Sequence, residues 1–216
     1  MLEKIFTTGF FVSLLASTIR LATPIMVPAL GQIYTQRAGI LNLGVEGTML
    51  MGAVTGFAVA CLTGSLWLGL LCGMLTGMLW SAIMAWLSIT MKANQVIAGL
   101  GMNILGAGLA AYIYRVIFGV QSLPPAITAF QSISVPGLSD IPILGAVFFQ
   151  HNALVYLGFL LLPLNWFILE KTTFGLKIKA VGEHPRAADS KGVSVAGVRY
   201  AAVLIGGLYA GAAGAF

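Results

Sequence analysis

Charge is scarce in this chain: Asp, Glu, Lys and Arg together make up 8% of its residues, and only six of them are acids. A soluble domain carries about 25%, so a water-facing globule is excluded and the bilayer is the solvent for most of the sequence. In hydrocarbon the backbone must satisfy its own hydrogen bonds, which leaves helices or closed barrels. Apolar runs of roughly 20 residues, without strand-like alternation, select helices. Cysteine is nearly absent too. Cys61 and Cys72 lie in or beside apolar runs and read as small packing residues, not as a disulfide or a metal site. His151 and His184 stand alone in separate loops, with no Cys or carboxylate partner at ligand spacing. There is no Gly-x-x-x-x-Gly-Lys-Ser/Thr loop to hold ATP and no carboxylate pair within an apolar run. These absences argue against a metal, a cofactor and an enzyme acting on its own.

What charge there is has a pattern. Lys171, Lys177, Lys179, Arg186, Lys191 and Arg199, six of the eleven Lys and Arg residues, fall in the one long polar stretch, residues 171–199. Positive charge gathered in a short loop marks a cytoplasmic face. The net charge of +5 therefore reports topology and contact with lipid headgroups, and nucleic acid is not an expected partner. Within the loop, residues 182–189 read as a short isolated helix. Pro185 suits its first position and Gly192 its stop. A small helix held at the cytoplasmic surface suggests a docking element for a soluble partner.

About six spans are expected. The first covers residues 5–33 and is read as an uncleaved helix rather than a signal peptide. Arg20, Pro24 and Pro28 interrupt it, and two prolines four apart should kink or break a helix. Further spans cover residues 48–62, 66–90, 95–118 and 152–169, and a sixth begins near Val195 and is still running at Phe216. Residues 119–151 hold Pro124, Pro125, Pro136 and Pro142, no Lys or Arg, and one acid, Asp140, a composition that fits the external side. Counting back places Lys92 inside, Gly64 outside, and Arg37 with residues 39–47 inside or within the membrane. One crossing by the first segment would put the N-terminus outside; a double crossing around Arg20 would put it inside. Gly52/Gly56, Gly69/Gly73/Gly77 and Gly207/Gly211 repeat at four-residue spacing, which lets helices approach closely. Packing within the chain is the ordinary reading and a subunit interface the alternative.

Few polar groups lie at membrane depth: Arg20, Asn42, Glu46, Gln95 and Asn103. Asn42 and Glu46 are four apart, on one face if helical, in a Gly-punctuated stretch of the kind that breaks helices beside a transport site. Alternatively, Glu46 pairs with Arg37 or Arg20 and pins helices together. Gln95 and Asn103 fall on nearly the same helical face. They either line one path with Asn42 and Glu46 or supply interhelical hydrogen bonds.

Two passages carry a family likeness. Arg20-Leu21-Ala22-Thr23-Pro24 followed by Gln36-Arg37-Ala38-Gly39-Ile40-Leu41-Asn42-Leu43-Gly44-Val45-Glu46-Gly47 resembles the start of ABC importer permeases of the nucleoside and simple-sugar type, relatives of the ribose and branched-chain amino acid permeases. Phe174-Gly175-Leu176-Lys177 with Ala180-Val181-Gly182-Glu183-His184-Pro185-Arg186-Ala187-Ala188 resembles the same family's cytoplasmic coupling segment. The resemblance spans essentially the whole chain. It implies an all-α polytopic transmembrane bundle, one domain over residues 1–216 with a coupling loop at 171–195, in a bacterial cytoplasmic (inner) membrane. The implied partners are a second homologous permease, cytoplasmic ATP-binding cassette subunits that hydrolyse ATP, an extracytoplasmic substrate-binding protein and membrane lipids. It further implies that Gly182, Glu183, His184, Pro185, Arg186, Ala187 and Ala188 dock the ATPase. In that reading Glu183 and Arg186 make polar contacts, Pro185 sets the helix start, and Ala187 and Ala188 give a flat face; His184 stands where family members often have Asn. The first motif is closest to nucleoside-type systems, so a nucleoside is the expected solute, with a simple sugar or branched-chain amino acid as alternatives. Such permeases are longer, so the chain is expected to match the N-terminal two-thirds of one and to be truncated. A stand-alone channel or secondary carrier is the competing class.

Overall fold

The computed structural model describes residues 8–119, 130–134 and 144–216. Six of its helices are long and apolar enough to cross a membrane. In chain order the elements are α1 (Thr8–Arg37), α2 (Val45–Thr63), α3 (Leu66–Ala85, continued by a π-helical turn Trp86–Thr90), α4 (Gln95–Phe118), β1 (Ser132–Ser134), α5 (Leu144–Phe148), β2 (Gln150–Asn152), α6 (Ala153–Lys171), α7 (Thr173–Glu183), α8 (Pro185–Ser190) and α9 (Val195–Gly214). Most starts are chosen by a capping side chain, which accepts from an otherwise orphaned first-turn N–H. Ser65, Asn94, Asn152, Thr172 and Ser194 do this for α3, α4, α6, α7 and α9.

The helical bundle is as expected, with four differences of detail. Pro24 and Pro28 lie inside an unbroken α1 of 30 residues, so the first segment crosses once and its start lies on the face opposite Arg37. Its inner half is braced by packing: Val27, Leu30 and Tyr34 are buried, as is Ala38 just past its end. Second, the polar stretch after α6 is helical along most of its length. α7 buries Gly175, Ile178 and Val181 at three-residue spacing and leaves Leu176 and Lys177 outside. Third, residues 42–46 are not one helical turn; the chain is irregular through Leu43, turns at Gly44, and α2 starts at Val45. Fourth, β1 and β2 pair antiparallel, Ile133 opposite His151. Pro124, Pro125, Pro136, Asp140 and Pro142, and the expected start of the first span at Ile5, lie outside the described residues.

α9 is the hub, packed against α1, α2 and α3. Its glycines make this possible. A Cβ on Gly77 would press on Gly211 Cα at 2.6 Å, and one on Gly52 would meet Gly211 O at 2.6 Å. On the other side, a Cβ on Gly31 would meet Tyr209 Cβ at 2.8 Å. Without side chains in the way the backbones gain dispersion contact, the main attraction between helices in lipid. The glycine repeats thus pack within the chain. Large apolar side chains on the outer surface, such as Leu21, Ile25, Ile104 and Leu160, are well exposed and face the bilayer.

Sidedness follows from what meets what. Arg37 at the end of α1 pairs with Glu170 at the end of α6. Thr90 hydrogen-bonds Tyr200 near the start of α9 (2.5 Å), and Arg199 Nε donates to Ala38 O (3.1 Å). Together with α7 and α8 these ends form the basic, inner face. Gly64 and the β1–β2 pair lie at the other.

Candidate functional site

On the inner face, α7 and α8 form a tip fixed to the bundle. Glu170 accepts from Lys179 Nζ at 2.6 Å and from Arg37 Nη1 at 3.3 Å, tying α1, α6 and α7 together. Gly175 lies directly on the Ile168 and Leu169 carbonyls, and Gly182 on the Arg37 carbonyl beside Gly39. Neither position has room for a Cβ. Ile178 and Val181 are wholly buried, Ile178 in a cluster with Tyr34, Ala38, Leu169 and Ala202. The tip is therefore packed against the ends of α1 and α9.

What the tip presents outward differs from the short helix expected. Glu183 is the last residue of α7, His184 breaks the chain direction (φ −136°, ψ 75°), and Pro185 is the first residue of α8. Glu183, His184, Arg186 and Ala187 are exposed, and Pro185 is half-buried. Gly182 and Ala188 face the protein: Ala188 is 6% exposed, and its carbonyl accepts from Lys191 N and Val193 N. Ala187 and Ala188 thus point different ways and do not form one flat face. A helix with Ala187 outward and Ala188 inward closes against α9 without loss of exposed polar surface.

The second constellation lies where α1 hands over to α2. Gln95 Oε1 accepts from Leu41 N (2.7 Å), Asn103 Oδ1 from Gly47 N (2.8 Å), and Asn103 Nδ2 donates to Leu43 O (2.8 Å). Asn42 is buried and its Oδ1 accepts from Gly44 N (2.9 Å). α2 begins at a glycine with no capping side chain; Asn103, from α4, supplies the missing acceptor to the third N–H of its first turn. α4 gets close enough because Gly47 and Gly106 cross face to face, a Cβ on Gly106 falling 2.7 Å from Gly47 Cα. Asn42, Gln95 and Asn103 are therefore brought together, but onto the backbone of residues 41–47. Glu46 is not with them. It is exposed in the first turn of α2, where a carboxylate suits the helix dipole, and Arg37 pairs with Glu170 in its place.

Toward the outer face the described residues line, among others, two open cavities. One, about 670 Å³, is mainly apolar, with Val54, Phe57, Leu70, Tyr114, Phe130 and Asn152 among its walls. The other, about 400 Å³, has the more polar lining of the two and lies against α1 and β2. Sequence reasoning found Arg20, which borders the more polar one, but not Glu170 or the shared wall at Phe130 and Asn152. Glu170 stands among basic residues at a span end, and that was the signal available.

Residues 14–216 match the family model described as branched-chain amino acid transport system / permease component. A putative glucose ABC transporter permease protein of Haloferax volcanii is 44% identical over 96% of this chain and 63% of its own length. A guanosine ABC transporter permease protein of Bacillus subtilis is 38% identical over 92% of this chain and 64% of its own. A nucleoside ABC transporter permease protein of Lactococcus lactis is 33% identical over 94% and 66%. The chain spans just under two thirds of the length of these relatives. No solved structure matches it significantly.

Proposed function

Because the chain belongs to the branched-chain amino acid transport permease family, we propose that it is the membrane-spanning permease subunit of an ATP-driven importer for a small polar solute, a nucleoside. It is a multi-pass protein of the cytoplasmic membrane, and residues 1–216 act as one transmembrane domain whose coupling loop is 171–195. Its partners are a second homologous permease, cytoplasmic ATPase subunits that perform the hydrolysis, and a binding protein that delivers solute from outside. The observation that carries this reading is the α7–α8 tip, anchored through Gly182 yet open to water at Glu183, His184 and Arg186. Docked in a groove of the ATPase, Glu183 and Arg186 would make contacts that differ between its open and closed states. That difference is what allows nucleotide to bias access to one side or the other.

The test is co-purification. Glu183→Ala with Arg186→Ala should abolish ATPase association and ATP-driven uptake while membrane insertion stays normal. Undiminished association of the double variant would overturn the docking role. Flux in liposomes holding this chain alone, indifferent to ATP, would favour a channel or secondary carrier. The nucleoside is supported by the Bacillus and Lactococcus relatives, and the Haloferax relative supports a simple sugar as the second reading. Uptake of labelled guanosine, challenged with excess glucose, separates them.

A further inference from the structure

Arg20 has no part in the coupling just described. Seventeen residues of helix separate it from Arg37, roughly 25 Å at the usual rise, which keeps it inside a hydrocarbon layer about 30 Å thick. Among the described residues it makes no ion pair or hydrogen bond. Roughly 5 Å from the outer edge of that layer, an exposed, unpaired arginine can reach headgroups, water or a ligand. Here it lines the more polar cavity of about 400 Å³, with Ser13 and Ser17 from its own face of α1 and Phe130, Gln150 and Asn152 opposite.

The chemistry of these walls is selective. A guanidinium offers only donors, in a rigid planar fork that matches two adjacent acceptors. Ser13 Oγ already donates to Phe10 O (3.0 Å) and so keeps acceptor capacity, while Asn152 Oδ1 is used by Val155 N (3.1 Å), leaving its NH₂ to donate. Phe130 presents an aromatic ring braced edge-on by Trp67 at 5.3 Å. Phe130 and Asn152 also border the larger apolar cavity, so the two cavities share that wall. A ligand that meets all of this has a planar face, a paired-acceptor edge and hydroxyl groups. A hexose has only the hydroxyls.

We infer that this cavity is an outward-facing solute chamber in which Arg20 is the specificity-determining contact, donating to O6 and N7 of a 6-oxopurine nucleoside whose base lies against Phe130. The inference rests on the nucleoside reading above. Arginine reads the same O6/N7 edge of guanine in nucleic acids.

The assembled importer in proteoliposomes, given its binding protein and ATP, should take up guanosine in preference to 7-deazaguanosine, which lacks the N7 acceptor. Arg20→Gln should erase roughly tenfold of that preference, and Arg20→Lys, which keeps the charge but not the fork, should erase most of it. The binding protein's own preference is common to all three and cancels in the comparison, and a merely structural Arg20 would lower both uptakes alike. An unchanged ratio in either variant overturns the contact, leaving Arg20 to lipid phosphates, and so does wild-type indifference between the two nucleosides. Sugar uptake without any nucleoside uptake by the wild type would instead overturn the nucleoside reading, and the chamber's ligand with it.

Discussion

Replacing Asn103 by Leu, which keeps the volume and removes both polar atoms, separates a structural clasp from a solute contact. The substitution leaves Gly47 N–H, on a buried residue, and Leu43 C=O without their partners. An orphaned buried group costs about 1–3 kcal/mol. Hydrogen bonds between membrane helices have measured about 0.6 kcal/mol on average and about 1.7 at most. Two such bonds, one of which caps α2, make a loss of about 2 kcal/mol a reasonable centre. For a chain of this size that corresponds to a fall in melting temperature of roughly 4–8 °C. The measurement is thermal unfolding of the purified permease in mild detergent, alongside the KM of ATP-driven uptake by the importer. The clasp predicts a lower melting temperature with KM unchanged in the protein that remains folded. An unchanged melting temperature with a raised KM would refute it and restore Asn103 to the translocation path.

Four further outcomes are expected. Gly77→Leu drives a side chain into the Gly207–Gly211 backbone and should cost about 3 kcal/mol or more, seen as loss of monodisperse protein on size exclusion. Gly101→Ala, with nothing within 4 Å, should instead raise stability by about 0.5–1 kcal/mol. A cysteine at Ser190, with Cys61 and Cys72 replaced, should react with a membrane-impermeant thiol reagent only in inside-out vesicles, whereas one at Gly64 should react in intact cells; the reverse pattern would invert the topology. Glu170→Gln should leave the melting temperature unchanged, because both ion pairs are exposed and such pairs are screened by salt.

The spans were legible in the residues; the side on which the first one starts was not. Runs of apolar side chains mark the helices, and the crowding of Lys and Arg after Lys171 orients them. The inner tip could be located too, because Pro185 and Gly192 punctuate it. Its shape could not: α7 is short, and what holds it is burial of Ile178 and Val181 as it packs on α1, α6 and α9. Spacing left residues 42–46 open: Asn42 and Glu46 share a face only in a helix, and the helix does not start until Val45.

By itself the sequence determined what each segment must settle with the solvent around it: a helix in lipid closes its own hydrogen bonds, and charge stays on the side where it cannot be pulled through. Only the tertiary structure decided which side chains spend themselves on neighbours. Asn103 caps a helix it does not belong to, Glu170 takes Arg37 away from Glu46, and Arg20 is left facing a cavity. Those outcomes depend on which helices lie side by side and how closely their glycines let them approach.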